Sequence, residues 1–456
     1  MTKPAFKKKL MSNLLYARIL MGASLEFHII YVAFGIGLPF LLMITEGFAL
    51  VTGEECYHVL ARSWTRPVVL LFAIGAVSGT ILSFELGLLW PVFMGFSGPM
   101  IGLAFWMEGF AFFIEAIFAA LYVYGRNKLS RRALFLCTIP MALGAAASAV
   151  FVISANGWMN SPSGFNLAKG GPVNIRPWLA FTNSAWPHEA MHATLAAYTA
   201  CFFTVSGVYA LRLIRKNYTP QNRLGLSLSL ALGCILALLM LFTGDYAARW
   251  VAYNQKTKLA ALEAVPHTIA GAPLTIGGWL DKKTNTVRYG IPIPKLLSLL
   301  SYGNPNATVL GLDAFKPGLT PNANLVHPVF DLMVAGFFIM FLAALWFWIA
   351  RWRGKEVFSR RLYLVPVLIA TPFGILSQVA GWAVTEFGRQ PWIASCVMLV
   401  AKGVTPAPAG WMLAAFAFVY LALTAGLVRL LFASGAKKAG IKSGLRNQGD
   451  FHGEST

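Results

Sequence analysis

Gly381-Trp382-Ala383-Val384-Thr385-Glu386-Phe387-Gly388-Arg389-Gln390-Pro391-Trp392 closes a hydrophobic run long enough to cross a bilayer. It brings a carboxylate, a guanidinium and two indoles to the membrane edge. The Gln-Pro pair then ends any helix, because proline has no N–H to donate and clashes with the preceding turn. Trp382, Glu386 and Arg389 follow one another at spacings of four and three, so they share one helical stripe. An ionisable group at that depth is costly and marks a functional site by default. The plainer reading is a Glu–Arg pair that staples two helices.

Working outward from this stretch, the composition identifies the solvent. Of 456 residues, 57% are hydrophobic and only 12% charged, and the mean hydropathy is +0.64. Soluble domains carry about 25% charged residues, so the chain reads as an integral membrane protein. The net charge of +20 would suit nucleic acid if it were spread over one surface. Here it falls in short clusters between apolar runs, as expected of loops facing anionic lipid. The five cysteines are scattered, with no CxxC or CxxCH, which excludes a disulfide framework, a zinc site and covalently attached c-type haem. Lys7-Lys8-Lys9 opens an amphipathic stretch, and no small-residue cleavage site follows the first apolar run, so no cleavable signal is expected.

Runs of about 20 apolar residues suffice to span. Nine occur, near 24–48, 66–90, 100–124, 133–155, 188–212, 224–246, 328–350, 361–385 and 409–432. The stretch from Leu10 to Val51 exceeds one crossing, and its first part is expected to lie along the interface. The connections Arg126–Arg132, Arg212–Arg223 and Arg351–Arg361 and the tail (Arg429, Lys437, Lys438, Lys442, Arg446) are rich in cations. With nine spans they share one side, which puts the C-terminus in the cytoplasm and the N-terminus outside. The N-terminal lysines argue the other way and are outvoted. Both long connections then fall outside. Asn156–Pro187 reads as an ordered loop with little regular structure, and residues 246–327 form a polar insertion of about 80 residues. No repeat appears, so residues 1–456 read as one all-α, polytopic membrane domain.

Several polar residues lie within or beside these runs. His28 needs a metal, a hydrogen bond or a water cavity, and neighbouring Glu26 has no assigned role. Glu108 and Glu115 are seven apart, within about 20° of one helical face. Spaced this way they could hand a proton along through water, or each could simply bond a neighbour. His188 and His192 stand four apart without an HExxH pattern. Met333, in an apolar helix, reads as packing. Gln255-Lys256-Thr257-Lys258-Leu259-Ala260-Ala261-Leu262-Glu263 reads as a charged, solvated helix face.

GWxxxE[FY]GRQPW resembles the signature of subunit I of the cytochrome bd-type quinol oxidases, and further motifs resemble that family in order along the chain. These are Arg18 ten residues before His28, the paired-Glu run 108–115, Asn156-Gly-Trp-Met-Asn160, His192 with Tyr198 six residues on, Met333, and the loop from Gln255 to Glu263. The resemblance implies haem bound in helical bundles. His192 and Met333 would hold a low-spin haem b, a His/Met pair that raises the potential. His28, Glu108 and Glu386 would serve a high-spin haem b with a haem d or a further haem b, and Trp382 and Arg389 would line that pocket. Glu108 and Glu115 would form the proton path from the cytoplasm, while Gln255, Lys258 and Glu263 would bind quinol. Asn156–Asn160 would be structural at the haem edge. Asp331 departs from the pattern, standing where well-known members carry Arg.

The loop suits the short-loop subgroup. The resemblance further implies quinol:oxygen oxidoreduction in a bacterial cytoplasmic (inner) membrane, with a subunit II and small single-helix subunits as partners. Two rivals share the buried histidines or carboxylates: a quinone-linked di-haem cytochrome b of a dehydrogenase, and a haem-free transporter. The dehydrogenase has no use for the membrane carboxylates or for GRQPW.

Overall fold

Long apolar helices carry the chain, since in lipid every backbone N–H and C=O must be paired within its own segment. The computed structural model describes residues 3–281, 283–405 and 409–447, with side chains for 13–281, 283–405 and 409–431. Lys7–Lys9 and the tail cations Lys437, Lys438, Lys442 and Arg446 therefore lie outside the described side chains. Among the described residues nine helices are long and apolar enough to span. They are α1 (Lys3–Thr52), α2 (Glu55–Leu89), α3 (Pro91–Gly125), α4 (Arg131–Asn160), α6 (Trp186–Ile214), α7 (Pro220–Asn254), α10 (Ala323–Trp352), α11 (Arg361–Arg389) and α13 (Gly410–Asn447). Short helices α5 (Pro177–Phe181), α8 (Lys256–Leu262), α9 (Leu296–Tyr302) and α12 (Val400–Gly403) lie between them.

All nine sequence spans fall on these helices, but two boundaries need correction. No separate interfacial helix precedes the first span. Residues 3–52 form one uninterrupted helix, with Pro39 accommodated inside it. At 1.5 Å per residue it is about 75 Å long, well beyond a ~30 Å hydrocarbon core. The outer insertion is also shorter than expected, because α7 runs on to Asn254 and α10 begins at Ala323. The helix starts carry local signals. Ser130 and Thr219 accept from the N–H of Ala133 and Asn222, Asn322 accepts from Asn324, and Pro187 and Pro220 sit in first turns.

The helices pack as antiparallel neighbours: α1 with α2, α3 with α4, α6 with α7, and α10 with α11. Helix α11 also lies along α6, while α1 reaches α4 and α6 and is covered by α13. Small residues set these approaches. A Cβ on Gly144 would come 2.9 Å from Ala111 O of α3, and one on Gly374 3.0 Å from the Ala200 backbone of α6. Large apolar side chains such as Trp106, Phe110 and Phe113 of α3 point outward, as they must where the solvent is lipid.

The outer connections are ordered. Residues 166–168 pair with 171–173 in a hairpin ahead of α5. The larger insertion holds α8, α9 and three two-stranded pairings: Ile269–Ala270 with Thr308–Val309, Leu274–Ile276 with Ile291–Ile293, and Trp279–Asp281 with Thr286–Arg288. Its own apolar centre includes Leu259, Leu262, Val265, Leu297, Val309 and Val326, so it is a folded cap.

Candidate functional site

Four elements meet at the end of the bundle that carries the long insertion: the last turn of α11, the last turn of α4, the first turn of α6 and α8. Helix α11 ends where the Gln-Pro pair requires, and Arg389 Nη2 donates to Glu386 Oε2 at 2.6 Å. The pair lies within one helix, so it does not staple two helices. The second helix enters through Asn156 of α4, whose Nδ2 donates to Glu386 Oε1 at 3.0 Å. Asn160 Nδ2 reaches Asn156 Oδ1 (3.0 Å) and Glu189 Oε1 (2.8 Å), and Gln255 Nε2 donates to Asn160 O (3.1 Å). Asn156–Asn160, expected only to frame the site, is thus the hub that joins α11, α6 and the outer loop.

Lys258 projects from α8 into this hub. Its stem lies over Gly388, where a Cβ would come within 2.8 Å of Lys258 Cε. Burial pulls its ammonium below the usual range, while Glu189 and Glu386 push it back up. Helix α8 is therefore a buried element rather than a solvated face: Lys258 through Leu262 are all buried. Glu263 does not stand beside Lys258. Five residues at about 100° each place the two roughly 140° apart around a helix. Glu263 instead neighbours Asp331 at the top of α10, and burial, then that second carboxylate, pushes it up to about 8.

Asp331 has its own task. Its Oδ2 accepts from Gly277 N at 2.7 Å, and one turn earlier His327 bridges the carbonyls of Leu262 and Gly277 (2.6 and 3.0 Å). Asp331 thus clamps the long insertion to α10.

Further along their helices, His28 and His192 each engage one ring nitrogen with a hydroxyl. Ser78 Oγ of α2 donates to Ile74 O and can accept from His28 Nδ1 at 2.9 Å, which leaves Nε2 available. His192 Nδ1 meets Thr243 Oγ1 of α7 at 3.3 Å in the same way. Each imidazole faces a glycine: a Cβ on Gly79 would lie 3.0 Å from His28 Cε1, and one on Gly244 3.7 Å from His192 Cε1. Met333 faces Gly381 of α11, with Sδ 3.2 Å from where a Cβ would sit. His188 is fixed by rings of α7, stacked on Trp250 at 4.6 Å and edge-on to Tyr246 at 5.8 Å.

These residues fit haem. Arg389 is 4% exposed, yet its Nε and Nη1 are buried without a partner, and two unused guanidinium donors suit an anionic propionate. The two imidazoles, each with Nε2 free of a hydrogen-bond partner, and the Met333 thioether would supply donors to haem iron. Glu108 lies midway along α3 and Glu115 two turns nearer its C-terminus, and neither has a hydrogen-bond partner among the described residues. Glu26 lies within electrostatic range of Glu386, and its buried Oε2 is unpartnered.

Three buried acids had no place in the sequence reading. Glu189 is held by Asn160. Glu85 of α2 is fully buried and accepts from Ser24 at 2.8 Å, with Tyr420 at 3.5 Å. Glu46 of α1 is paired with Tyr122, His58 and Arg126. The rule that singled out Glu386, a carboxylate at the end of an apolar run, applies equally to all three.

Residues 16–439 match the family model described as cytochrome bd terminal oxidase subunit I. The chain is similar to cytochrome bd ubiquinol oxidase subunit 1 of Bacillus subtilis (strain 168), 31% identical over 438 residues, 92% of this chain and 93% of the relative. It is also similar to cytochrome bd-II ubiquinol oxidase subunit 1 of Escherichia coli (strain K12), 26% identical and covering 80% of this chain and 84% of that one. Among solved structures, the bd oxidase from Geobacillus thermodenitrificans superposes with a TM-score of 0.89 at 33% identity, over 93% of this chain and 99% of that chain.

Proposed function

The chain belongs to the cytochrome bd terminal oxidase subunit I family, and from that premise we propose how its residues divide the work. It is a multi-pass membrane subunit of a quinol:oxygen oxidoreductase, a haem-binding family whose oxidase includes a subunit II.

In this reading His192 and Met333 hold a low-spin haem b. His28, Glu108 and Glu386 serve a high-spin haem b and a haem d or further haem b, with Trp382 and Arg389 lining their pocket. The haems those residues would hold would supply electron transfer from quinol to oxygen. Quinol docks under the outer loop. Gln255 and Lys258 bind and orient its hydroxyls, and Glu263 accepts protons at its carboxylate oxygens and releases them outside. Arg389 neutralises propionate charge while holding Glu386 in place. Glu115 passes protons toward Glu108 from the cytoplasm, with the N-terminus outside and the C-terminus inside a bacterial cytoplasmic membrane. Small single-helix subunits would cover further lipid-facing surface.

The observation that carries this reading is Lys258. A lysine that belongs to the outer loop is buried against Gly388, in the same hub as Glu386 and Arg389. The loop that would receive quinol is therefore in direct register with the residues that would hold haem. Lys258→Ala is expected to cut quinol-driven oxygen consumption by about a hundredfold while every haem band persists. An artificial donor that reduces the haems directly should still support oxygen consumption. Undiminished quinol turnover in this variant would remove the loop from quinol oxidation.

A further inference from the structure

At the end of the bundle opposite the outer loop, three helices close around one carboxylate. Glu46, near the end of α1, accepts from the Tyr122 hydroxyl of α3 at 2.5 Å. His58, in the first turn of α2, places Nδ1 3.4 Å from the other carboxylate oxygen. Arg126, just past α3, lies 4.0 Å away and also donates to Thr65 Oγ1 of α2. Exposure is graded. The His58 and Arg126 side chains are 14% and 15% exposed, whereas Glu46 is sealed at 2% and Tyr122 at 1%. Arg131 and Glu55, at the starts of α4 and α2, form an exposed pair at 3.3 Å.

Tyr122 also continues a pattern already on α3. Glu108, Glu115 and Tyr122 recur every seven residues. Each step drifts only about 20° around the helix and rises about 10.5 Å, so the three share one stripe. His58, Glu46 and Tyr122 thus form a chain of contacts that ends on the stripe of α3 carrying both acids. An ion pair that merely ties helices needs Glu46 and Arg126. It has no use for an imidazole whose Nε2 is buried without a partner, nor for a tyrosine in line with two acids.

We propose that His58, Glu46 and Tyr122 form the uptake mouth through which protons from the cytoplasmic side reach Glu115. The His58 side chain, 14% exposed, swings its ring outward to take up a proton and returns to release one from Nδ1 to Glu46 Oε2. Protonated Glu46 donates to the Tyr122 oxygen, and the hydroxyl turns inward to pass its own proton to water leading to Glu115. Arg126 holds Glu46 in place between transfers. The inference rests on the reading of Glu115 as a proton carrier.

The test uses the complete oxidase carrying Glu46→Gln, His58→Asn, Tyr122→Phe or Glu115→Gln. Haem content, quinol-driven oxygen consumption and its solvent deuterium isotope effect are read together. Glu46→Gln should slow turnover about tenfold or more, raise the isotope effect and leave the haem bands intact, and Glu46→Asp should restore most of the rate. Tyr122→Phe removes one hydroxyl and should slow turnover in the same sense, so it decides the matter if Glu46→Gln fails to assemble. Wild-type turnover in Glu46→Gln or Tyr122→Phe beside a slow Glu115→Gln would place the mouth elsewhere and leave the reading of Glu115 standing. Wild-type turnover in Glu115→Gln itself would sink that reading and the mouth together. Lost stability without an isotope effect would reduce the cluster to a tie between helices.

Discussion

At the outer end, Arg389, Glu386, Asn156, Asn160, Glu189 and Gln255 form one continuous hydrogen-bonded chain across four elements. On α3, by contrast, Glu108 and Glu115 have no hydrogen-bond partner among the described residues. Both regions bury carboxylates, which costs several kcal/mol for each unpaired charge. The outer end meets that cost with opposite charge and amide donors, so its groups are fixed in place. The acids of α3 leave it unmet. In the proposed reading Glu386 is held in place and Glu115 carries protons, so perturbing each should produce a different kind of damage.

The largest expected effect breaks the positioning side. Met333→Leu removes the thioether and leaves a similar volume. The low-spin haem signal should be lost or become high-spin, and quinol-driven oxygen consumption should fall by more than about a hundredfold. An unchanged reduced-minus-oxidised spectrum would return Met333 to plain packing.

A smaller effect concerns Glu263, which lies apart from both regions and whose carboxyl is pushed up to about 8. Its proton-accepting form predominates only above that value, so the quinol-driven rate should climb as pH rises through about 8. Glu263→Gln cannot ionise and should flatten that limb with the haem bands unaltered. A limb that survives in the variant belongs to another group.

The smallest effect is on the loop clamp. Asp331→Ala removes an anionic acceptor from Gly277 N, a contact of about 2 kcal/mol. Limited proteolysis near Gly277 should speed up about thirtyfold while the haem spectra and oxygen affinity stay unchanged. Equal cleavage rates would leave the clamping to His327 and Asn324.

What the sequence could convey follows from the same physics. All nine spans were legible, because lipid demands about 20 apolar residues in a row. Their ends were not, since α1 and α7 continue as helix past the membrane where hydropathy no longer marks them. Glu386, Arg389, His28 and Met333 were legible through family motifs. Glu189 was not, because its partners Asn160 and Lys258 lie on other elements. Glu46 was missed for the same reason, with Tyr122 seventy-six residues away. That Lys258 and Glu263 face different neighbours is not legible in the loop motif that contains both. Residues five apart on a helix diverge, and each found a different neighbour.

Haem content measured beside turnover in Glu386→Gln and Glu115→Gln tests the division between positioning and proton movement most directly. Glu386→Gln should disrupt the chain to Arg389 and Asn156 and lose a high-spin haem. Glu115→Gln keeps size and hydrogen bonding but not the exchangeable acid. It should retain every haem and turn over about tenfold more slowly. Equal haem loss in the two variants would contradict the account, since both acids would then be parts of a single structural support.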